Sequence, residues 1–279
     1  MKHISKLVVI LLVMFLVACG GTATTPDATE APAAAATEAP AASDSLTLGI
    51  SLSTLNNPFF VTLGEGAQAA ADAAGVTLIT VDAQDDSAKE ATNIEDLIQQ
   101  KVDAILINPT DADAIVPSIQ KANDAGIPVF TIDRGASSGT VVAHIASDNI
   151  AGGRMAAEFL CAQLGGAGKV VELEGIAGTS AARDRGQGFN DYMASDCYGV
   201  EIIAKQTANF NRAEGLSVFE NILQAEPDIN GVFAHNDEMI LGAIEAAKAA
   251  GRAGDIVFVG FDAVDDAVTA VNAGDLAAT

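Results

Sequence analysis

The sequence predicts an α/β fold with two Rossmann-like lobes, each built on a parallel sheet, joined by a hinge. From residue 46 onward, short apolar runs rich in Val, Ile and Leu alternate with longer helical patterns, which is the order of elements in a parallel α/β fold. The runs are apolar on both faces, as strands are when helices cover both sides of a sheet. They fall into two sets of about four strand–helix units with a break near residues 143–149, which favours two lobes.

The individual elements follow from the same patterns. Apolar runs that predict strands begin near residues 46, 76, 103, 127, 169, 200, 230 and 255. Helical patterns lie near residues 58–74, 87–100, 112–125, 148–164, 180–196, 211–225, 237–250 and 263–273. Several of them close on glycine, at Gly75, Gly126 and Gly251, a common signal for a helix C-terminus. A (β/α)8 barrel also has eight units and is the main alternative, although an extra apolar run at 141–146 breaks its alternation.

Residues 1–18 have the pattern of a lipoprotein signal peptide. Lys2 and Lys6 form a basic start, and the apolar stretch of residues 7–17 is too short for an ordinary membrane span. The stretch ends in LVACG, which resembles a bacterial lipobox, so Cys19 is the predicted site of lipidation. An ordinary signal peptide that happens to contain a cysteine is the alternative.

The segment after the signal peptide has a different composition from the rest of the chain. Residues 19–45 are dominated by Ala, Thr and Pro, a composition that cannot bury enough apolar surface to fold. We predict a disordered tether here, followed by an N-terminal lobe at residues 46–147 and a C-terminal lobe at residues 148–279. A lipid at Cys19 and a tether behind it predict an extracytoplasmic protein attached to the cell membrane.

The overall composition excludes some classes of function. The formal net charge is −23 at pH 7, whereas binding to nucleic acid needs a basic face. Hydrophobic residues make up 49% of the chain and charged residues 18%, so a buried core is expected. Apart from Cys19, the cysteines are Cys161 and Cys197. In an exported protein such a pair suggests one disulfide, and two buried free thiols are the alternative.

Polar and aromatic side chains follow the predicted strands in both halves of the chain. In open α/β sheets the ligand binds beyond the carboxyl ends of the strands, so these positions are candidates for a binding site. They are Ser53, Asn56, Asn57, Phe59, Phe60, Asn108, Asp133, Arg134, Arg183, Arg185, Phe210, Asn236, Asp237, Phe261 and Asp262. Asp accepts hydrogen bonds, Arg donates them and Asn does both, and Phe rings can cover C–H faces. This set predicts a site for a small neutral polyol such as a sugar.

Each position also has a purely structural explanation. An Asn before Pro could be a helix N-cap or a simple turn, as at Asn57 and Asn108. Asp133 and Arg134 could form a surface ion pair of little energetic value, and Asp262 could be a cap. Three aromatic residues could belong to the ordinary core: Phe59, Phe60 and Phe210. The joint placement of all these residues at strand ends is what favours a binding site.

The sequence lacks the usual signals of an enzyme. His3 lies in the signal peptide, and His144 and His235 end apolar runs, where packing or capping explains them. There is no G-x-S-x-G elbow, no P-loop, no calcium loop and no His/Cys cluster with zinc spacing. We therefore predict no catalytic residue, no cofactor and no metal.

Seven segments of the chain resemble the type I periplasmic binding proteins, the extracytoplasmic receptors of sugar ABC transporters, and the ribose-type members most closely. They read SLSTLNNPFF, INPTDADAI, TIDRG, HIASDN, GIAGTSAARDRGQGF, VFAHNDEM and VGFDA. The resemblance runs from about residue 46 to residue 279. GIAGTSAAR followed by RGxGF is close to specific for the ribose type, and the other segments are shared more widely.

This resemblance implies a particular set of ligand-binding residues. They are Ser53, Asn57, Phe59, Phe60, Asn108, Asp133, Arg134, Arg185, Phe210, Asn236, Phe261 and Asp262. Most of them also follow from the strand-end argument, but the resemblance selects Arg185 over Arg183 and Asn57 over Asn56.

The resemblance also implies a function. We expect a monomeric, lipid-anchored receptor that binds D-ribose between two lobes closing about a hinge near residues 147–149 and then engages an ABC permease in the membrane. A receptor for another small sugar, such as allose, galactose or a furanose signal molecule, is the first alternative. A transcriptional repressor of the same fold would need a basic helix-turn-helix at the N-terminus, and a secreted sugar-processing enzyme would need catalytic residues.

The sequence departs from the resembled family at one place. The family continues beyond the LAAT motif with a Gln that hydrogen-bonds the sugar, and then with a helix and a strand that return to the first lobe. This sequence stops at that motif, at residues 276–279. The expectation is a C-terminally incomplete sequence whose N-terminal lobe lacks its return segment, with lower stability and weaker binding.

Overall fold

A computed structural model describes residues 46–279 of the chain. The strands are β1 (Thr47–Leu52), β2 (Thr77–Asp82), β3 (Ala104–Ile107), β4 (Val129–Ile132), β5 (Ala143–Ile145), β6 (Ala167–Glu174), β7 (Gly199–Thr207), β8 (Gly231–Ala234) and β9 (Val257–Val259). The helices are α1 (Pro58–Ala74), α2 (Ser87–Gln99), α3 (Val116–Asp124), α4 (Asn149–Gln163), α5 (Ser180–Asp196), α6 (Arg212–Ala225), α7 (Asp237–Ala249) and α8 (Asp265–Ala273). The predicted signal peptide, the tether and Cys19 lie outside the described residues.

The strands form two separate open sheets. The first has the order β2-β1-β3-β4-β5 and the second the order β7-β6-β8-β9, and every strand pair is parallel. The barrel alternative is therefore wrong, and the predicted two-lobe fold is confirmed. The extra apolar run at 141–146 contains β5, which forms the edge of the first sheet. The predicted lobe boundary falls in the connection between β5 and α4.

Each lobe has its own apolar core against its sheet. In the first lobe the fully buried side chains include Ile94, Leu97, Ile105, Ile119 and Val129. In the second lobe the largest ones are Phe189, Phe219, Phe233 and Phe258. The rings of Phe189 and Phe233 are stacked with centroids 4.6 Å apart, a geometry that adds about 1 kcal/mol beyond the burial of their area. Because the cores lie on the faces of the sheets, the carboxyl ends of the strands remain free to form a site.

Short polar side chains cap the starts of several helices. Helix α1 begins at Pro58, and the Oδ1 of Asn57 accepts a hydrogen bond from the backbone N–H of Phe59 at 3.0 Å. The helix predicted near 112–125 begins later, at Val116. The Oδ1 of Asp111 accepts from the N–H groups of Asp113 and Ala114, at 2.9 and 2.8 Å. Residues 112–115 thus form a capped turn directly before α3.

Cys161 and Cys197 form a disulfide with their Cα atoms 6.3 Å apart. It joins the body of α4 to the residue after α5, and both sulfur-bearing residues are buried. Of the two possibilities that the sequence left open, the structure contains the disulfide. None of the helices within residues 46–279 is both long and apolar enough to cross a membrane.

Candidate ligand-binding site

A narrow cleft lies where the carboxyl ends of the two sheets meet. Both lobes line it, in similar proportion. The first lobe contributes Asn57, Phe59, Phe60, Asp133 and Arg134, and the second contributes Ala181, Arg185, Phe210, Asn236 and Asp262. All of these except Ala181 are residues that the sequence predicted for the site. The structure therefore brings together side chains that are up to about two hundred positions apart in the chain.

Arg185 lies on α5 and is the most extensively held cation of the cleft. Its Nε donates to the Oδ1 of Asn149 at 2.9 Å, and its Nη1 donates to the carbonyl of His235 at 2.5 Å. The same Nη1 lies 3.0 Å from the Oδ1 of Asp262. The guanidinium also stacks 3.6 Å from the centroid of the Phe261 ring. These contacts fix a planar group of donors in one orientation at the cleft. The neighbouring Arg183 is exposed and pairs with Asp184 at 2.8 Å instead.

Arg134 is the corresponding cation of the first lobe. Its guanidinium carbon lies 5.0 Å from the ring centroid of Phe60 and 5.2 Å from that of Phe210, so an aromatic residue from each lobe covers it. Its Nε is buried with no hydrogen-bond partner among residues 46–279 and lies 4.0 Å from the Oδ2 of Asp133. A buried donor without a partner carries a desolvation cost. A ligand oxygen that accepted a hydrogen bond from it would remove this cost and so favour binding.

Asp133 and Asp262 place carboxyl groups from opposite lobes in the cleft. Burial raises the pKa of Asp262 to about 7, opposed by the charge of Arg185 and reinforced by the nearby Asp237 and Asp133 carboxylates. Burial likewise raises the pKa of Asp133, although Arg134 and Arg185 oppose the rise. Hydroxyl groups that donate hydrogen bonds to these two carboxylates would favour their ionised forms and oppose the effect of burial.

Three residues of the cleft have backbone conformations that L-residues rarely adopt. Asp133 has φ of 59°, Phe210 of 57° and Asp262 of 117°. Each follows the end of a strand. Strain of this kind costs about 1–3 kcal/mol per residue and concentrates at functional sites.

Asn57 combines the cap and the binding-site position that the sequence offered as alternatives, and Asn236 combines the same two roles. Asn57 caps α1, and the Oδ1 of Asn236 caps α7 by accepting from the N–H of Met239 at 3.0 Å. Both residues also line the cleft. Because the caps use the Oδ1 atoms, the side-chain NH2 groups are the parts that can face a ligand, and that of Asn236 also donates to the carbonyl of Phe210 at 3.3 Å. The cap and the binding role are thus compatible at these two positions.

Three predicted residues lie behind the cleft and do not line it. Asn108 accepts from the N–H of Ser53 at 3.2 Å and donates through Nδ2 to the Oδ2 of Asp133 at 3.2 Å. The Oγ of Ser53 is buried without a partner among the described residues. Phe261 lies under Arg185 and faces a neighbouring, mostly apolar cavity. Direct contact between these three residues and a ligand remains a prediction.

Sequence reasoning missed several residues that support the cleft. Asn149 and the carbonyl of His235 hold Arg185, and neither belonged to the predicted site. Asp237 holds the loop that carries Asp262, because its carboxylate accepts from the N–H groups of Phe261 and Val264 at 3.0 Å. Its position after a strand was visible in the sequence, but this role depends on the path of a loop that folds back over it.

The two lobes also contact each other directly beside the cleft. The N–H of Gly135 donates to the Oγ of Ser180 at 2.8 Å, and the N–H of Ala112 donates to the carbonyl of Gly178 at 3.0 Å. Gly178 and Thr179 directly precede α5, which begins at Ser180 and carries Arg185. Within residues 46–279 no group of three or more His, Cys, Asp or Glu side chains is arranged to hold a metal ion.

Comparison with known proteins identifies the family. A model of the periplasmic binding protein domain matches residues 48–279. The chain belongs to the periplasmic binding protein family. The family suggested by the sequence motifs is therefore confirmed, and membership implies an extracytoplasmic location.

Relatives of this periplasmic binding protein share much of its sequence. The ribose import binding protein RbsB of Haemophilus influenzae is 52% identical over 233 residues, which cover 84% of this chain and 78% of that protein. The protein of the same name from Bacillus subtilis is 51% identical, covering 84% and 75%. A solved structure of a periplasmic solute binding protein from Actinobacillus succinogenes with bound D-allose has a TM-score of 0.78 and 33% identity, covering 83% of both chains. These relatives are binding proteins of transporters and not enzymes.

Proposed function

We propose that this chain is the sugar receptor of an ABC importer and that it binds D-ribose in the cleft between its two lobes. The observation that carries the proposal is the composition of the cleft: two carboxyl groups, two guanidinium groups and two amides converge there between Phe rings, from both lobes.

The chemistry of each group matches a part of a sugar. Asp133 and Asp262 accept hydrogen bonds from hydroxyls, while Arg134 and Arg185 donate to hydroxyl or ring oxygens. Such charge-assisted hydrogen bonds contribute about 1.5–3 kcal/mol each. Phe60 and Phe210 would cover C–H faces and exclude water. Ser53, Asn57, Asn108, Asn236, Phe59 and Phe261 complete the proposed ligand-binding set.

The choice of ribose rests on the relatives. Two relatives with more than 50% identity are ribose import binding proteins by name, whereas the structure that holds D-allose shares 33% identity. D-Allose, or another small sugar, is accordingly the second candidate.

We further propose that the sugar closes the lobes. A ligand bonded to Asp133 and Arg134 on one lobe and to Arg185 and Asp262 on the other binds the closed form more tightly than the open form, and this differential affinity shifts the population. The closed monomer would then be the form that the membrane permease recognises.

We also propose that Cys19 carries a lipid that anchors the receptor to the membrane. The support is the lipobox-like sequence at residues 16–20. In cells producing the full chain, the wild-type protein should fractionate with membranes and a Cys19→Ser variant should not. Equal membrane association of both proteins would refute the anchor.

Calorimetric titration of the purified protein tests the sugar assignment. D-Ribose, D-allose, D-galactose and L-arabinose would be titrated under identical conditions. We expect D-ribose to bind at micromolar or tighter affinity and more tightly than the other sugars. Clear heat with another sugar and none with D-ribose would refute ribose and keep the receptor class, while no heat with any sugar would refute both.

A further inference from the structure

A polar cluster around a buried carboxylate lies beneath the second-lobe side of the cleft. We call it the Glu172 cluster, and it consists of Glu172 on β6, Asn190 on α5, Lys205 on β7 and His235 just after β8. Glu172 is completely buried, and His235 is 2% exposed. Burying a carboxylate inside an α/β lobe is costly unless every oxygen is satisfied, and both oxygens of Glu172 have partners in the cluster.

The contacts of His235 define its protonation state. The backbone N–H of Gly175 points at Nδ1 at 3.2 Å. Because an amide N–H can only donate, Nδ1 must be the unprotonated nitrogen of the ring. The ring proton is then on Nε2, which donates to the Oε1 of Glu172 at 2.9 Å. The imidazole therefore links a turn of the backbone to a buried carboxylate as a neutral group.

Glu172 is held as an ionised acceptor. Burial raises its pKa, but the hydrogen bond from His235, the charge of Lys205 and the hydrogen bonds from the Asn190 amide lower it, and its pKa lies below the ordinary value. The Nδ2 of Asn190 lies 3.0 Å from both carboxylate oxygens, and the Nζ of Lys205 lies 3.3 Å from Oε2. The carboxylate therefore anchors the ring of His235 in one orientation.

His235 in turn touches two parts of the proposed sugar site. Its carbonyl oxygen accepts from the Nη1 of Arg185 at 2.5 Å. Its ring holds the turn at Gly175, where the backbone packs so closely on Phe210 that a Cβ at position 175 would lie 2.1 Å from the ring of Phe210. The position of the ring thus affects a cation and an aromatic residue of the cleft, although the ring itself does not line the cleft.

We propose that His235, held in its neutral Nε2–H form by Gly175 and Glu172, is a positioning residue that places Arg185 and Phe210 for the sugar. This inference rests on the proposed sugar-binding function. The competing explanation is that the ring of His235 only fills space between α5 and the second sheet, since a Cβ at Gly186 would lie 3.0 Å from its Cε1.

A pair of substitutions separates hydrogen bonding from space filling. His235→Gln keeps an acceptor for the N–H of Gly175 and a donor for Glu172, whereas His235→Leu keeps an apolar side chain of similar size and removes both hydrogen bonds. We expect His235→Gln to retain ribose affinity within about threefold and His235→Leu to lose at least tenfold, each measured by calorimetry. Equal affinity of the two variants would overturn the positioning role.

Measurements without sugar keep the test informative if a variant is unstable or ribose does not bind. In the ¹⁵N-labelled wild-type protein, the ring of His235 should show an unprotonated Nδ1 and a protonated Nε2. The N–H of Gly175 and the Nε–H of Arg185 should be protected from exchange in the wild type and in His235→Gln, and should exchange at least tenfold faster in His235→Leu. A protonated Nδ1, or unchanged exchange in a folded His235→Leu, would refute the inference. If only ribose binding is absent while these signals behave as expected, the proposed ligand is wrong and the positioning role stands.

Discussion

Arg185 shows how a single side chain can combine several contacts at the proposed site. It meets a side-chain carbonyl, a backbone carbonyl and a carboxylate, and it stacks on Phe261. Only the planar guanidinium can satisfy all of these at once, because an ammonium group is a compact point charge without a face for stacking. The position should therefore tolerate even a charge-conserving replacement poorly.

Replacing Arg185 with lysine tests this directly. We expect Arg185→Lys to weaken ribose binding by about 100-fold, which corresponds to about 3 kcal/mol and to the loss of one or two charge-assisted hydrogen bonds. Arg183→Lys is the matched control, because Arg183 lies two positions away on the same helix, is exposed and, among residues 46–279, pairs only with Asp184. Calorimetry on both variants checks the prediction, and similar affinities for the two would contradict it.

Asp262 gives the proposed binding reaction a pH dependence. Its pKa is about 7 in the unliganded protein, mainly because it is buried, so much of it is protonated just below pH 7. Hydroxyl groups that donate to the carboxylate favour the ionised form and lower this pKa on binding. Binding near pH 6.5 should then release a proton, and the affinity should rise as the pH increases toward about 7 and level off above it.

Calorimetry in buffers with different ionisation enthalpies measures the released proton. We expect the observed enthalpy at pH 6.5 to vary linearly with the buffer ionisation enthalpy for the wild type. The Asp262→Asn variant should bind more weakly and show a smaller slope. A wild-type enthalpy that is independent of the buffer, together with an affinity that stays constant from pH 5.5 to pH 7.5, would contradict this assignment.

At the scale of elements, two glycines set the distance between α4 and α5. A Cβ at Gly153 would lie 2.0 Å from the carbonyl oxygen of Arg185, and a Cβ at Gly188 would lie 2.0 Å from that of Ile150. The backbones of the two helices are therefore in direct contact. Because α5 carries Arg185 and α4 begins with Asn149, this contact also fixes the distance between these two residues, which hydrogen-bond to each other at the cleft.

Gly153→Ala should destabilise the protein and weaken ribose binding together. The added methyl group must push the two helices apart, which we expect to cost about 2–3 kcal/mol of unfolding free energy. Gly66→Ala is the control, because nothing lies within 4 Å of a Cβ at that helical position. It should raise stability by about 0.5–1 kcal/mol and leave binding unchanged. Denaturant unfolding and calorimetry measure both effects, and a neutral Gly153→Ala would contradict the packing argument.

Much of the element order could be predicted from the sequence, and the errors in that prediction have identifiable causes. The alternation of apolar runs and helical patterns is periodic over many residues, so the strands and helices were found in the right order. The start of α3 was placed too early because residues 112–115, which the Asp111 side chain caps, form a turn before the helix and are not part of it. The run at 141–146 was visible as apolar, but its place at the edge of the first sheet depends on long-range pairing.

The cleft residues that could be predicted from the sequence are those that follow the end of a strand. Residues at strand ends meet in an open α/β fold, and this rule located residues such as Asp133, Phe210 and Asp262. It did not distinguish residues that line the cleft from residues behind it, such as Asn108 and Phe261. It also missed His235, because a histidine that ends an apolar run gives no sign of the buried carboxylate, 63 positions away, that holds it.

At the scale of the whole molecule, the proposed function requires the two lobes to move. In the structure they are joined beside the cleft by hydrogen bonds from Gly135 to Ser180 and from Ala112 to Gly178. These hydrogen bonds contribute much less stabilisation than the apolar core of each lobe. A ligand that bonds to both lobes can therefore shift the equilibrium between open and closed forms.

Small-angle X-ray scattering can detect this closure in solution. We expect the radius of gyration of the protein to decrease when D-ribose is added at saturation. The Arg185→Lys variant, at a ribose concentration that saturates only the wild type, should keep the value of the unliganded protein. An identical radius of gyration for the free and saturated wild-type protein would contradict ligand-driven closure.

The proposed function requires that the sugar binds in the one cleft that both lobes build. A crystal structure of the protein with D-ribose measures this most directly. We predict one ribose molecule between the lobes, with hydroxyl oxygens within about 3 Å of Asp133 and Asp262 carboxylate oxygens and of the Arg185 guanidinium. A ribose molecule bound elsewhere, or an empty cleft in crystals grown at saturating ribose, would contradict the account.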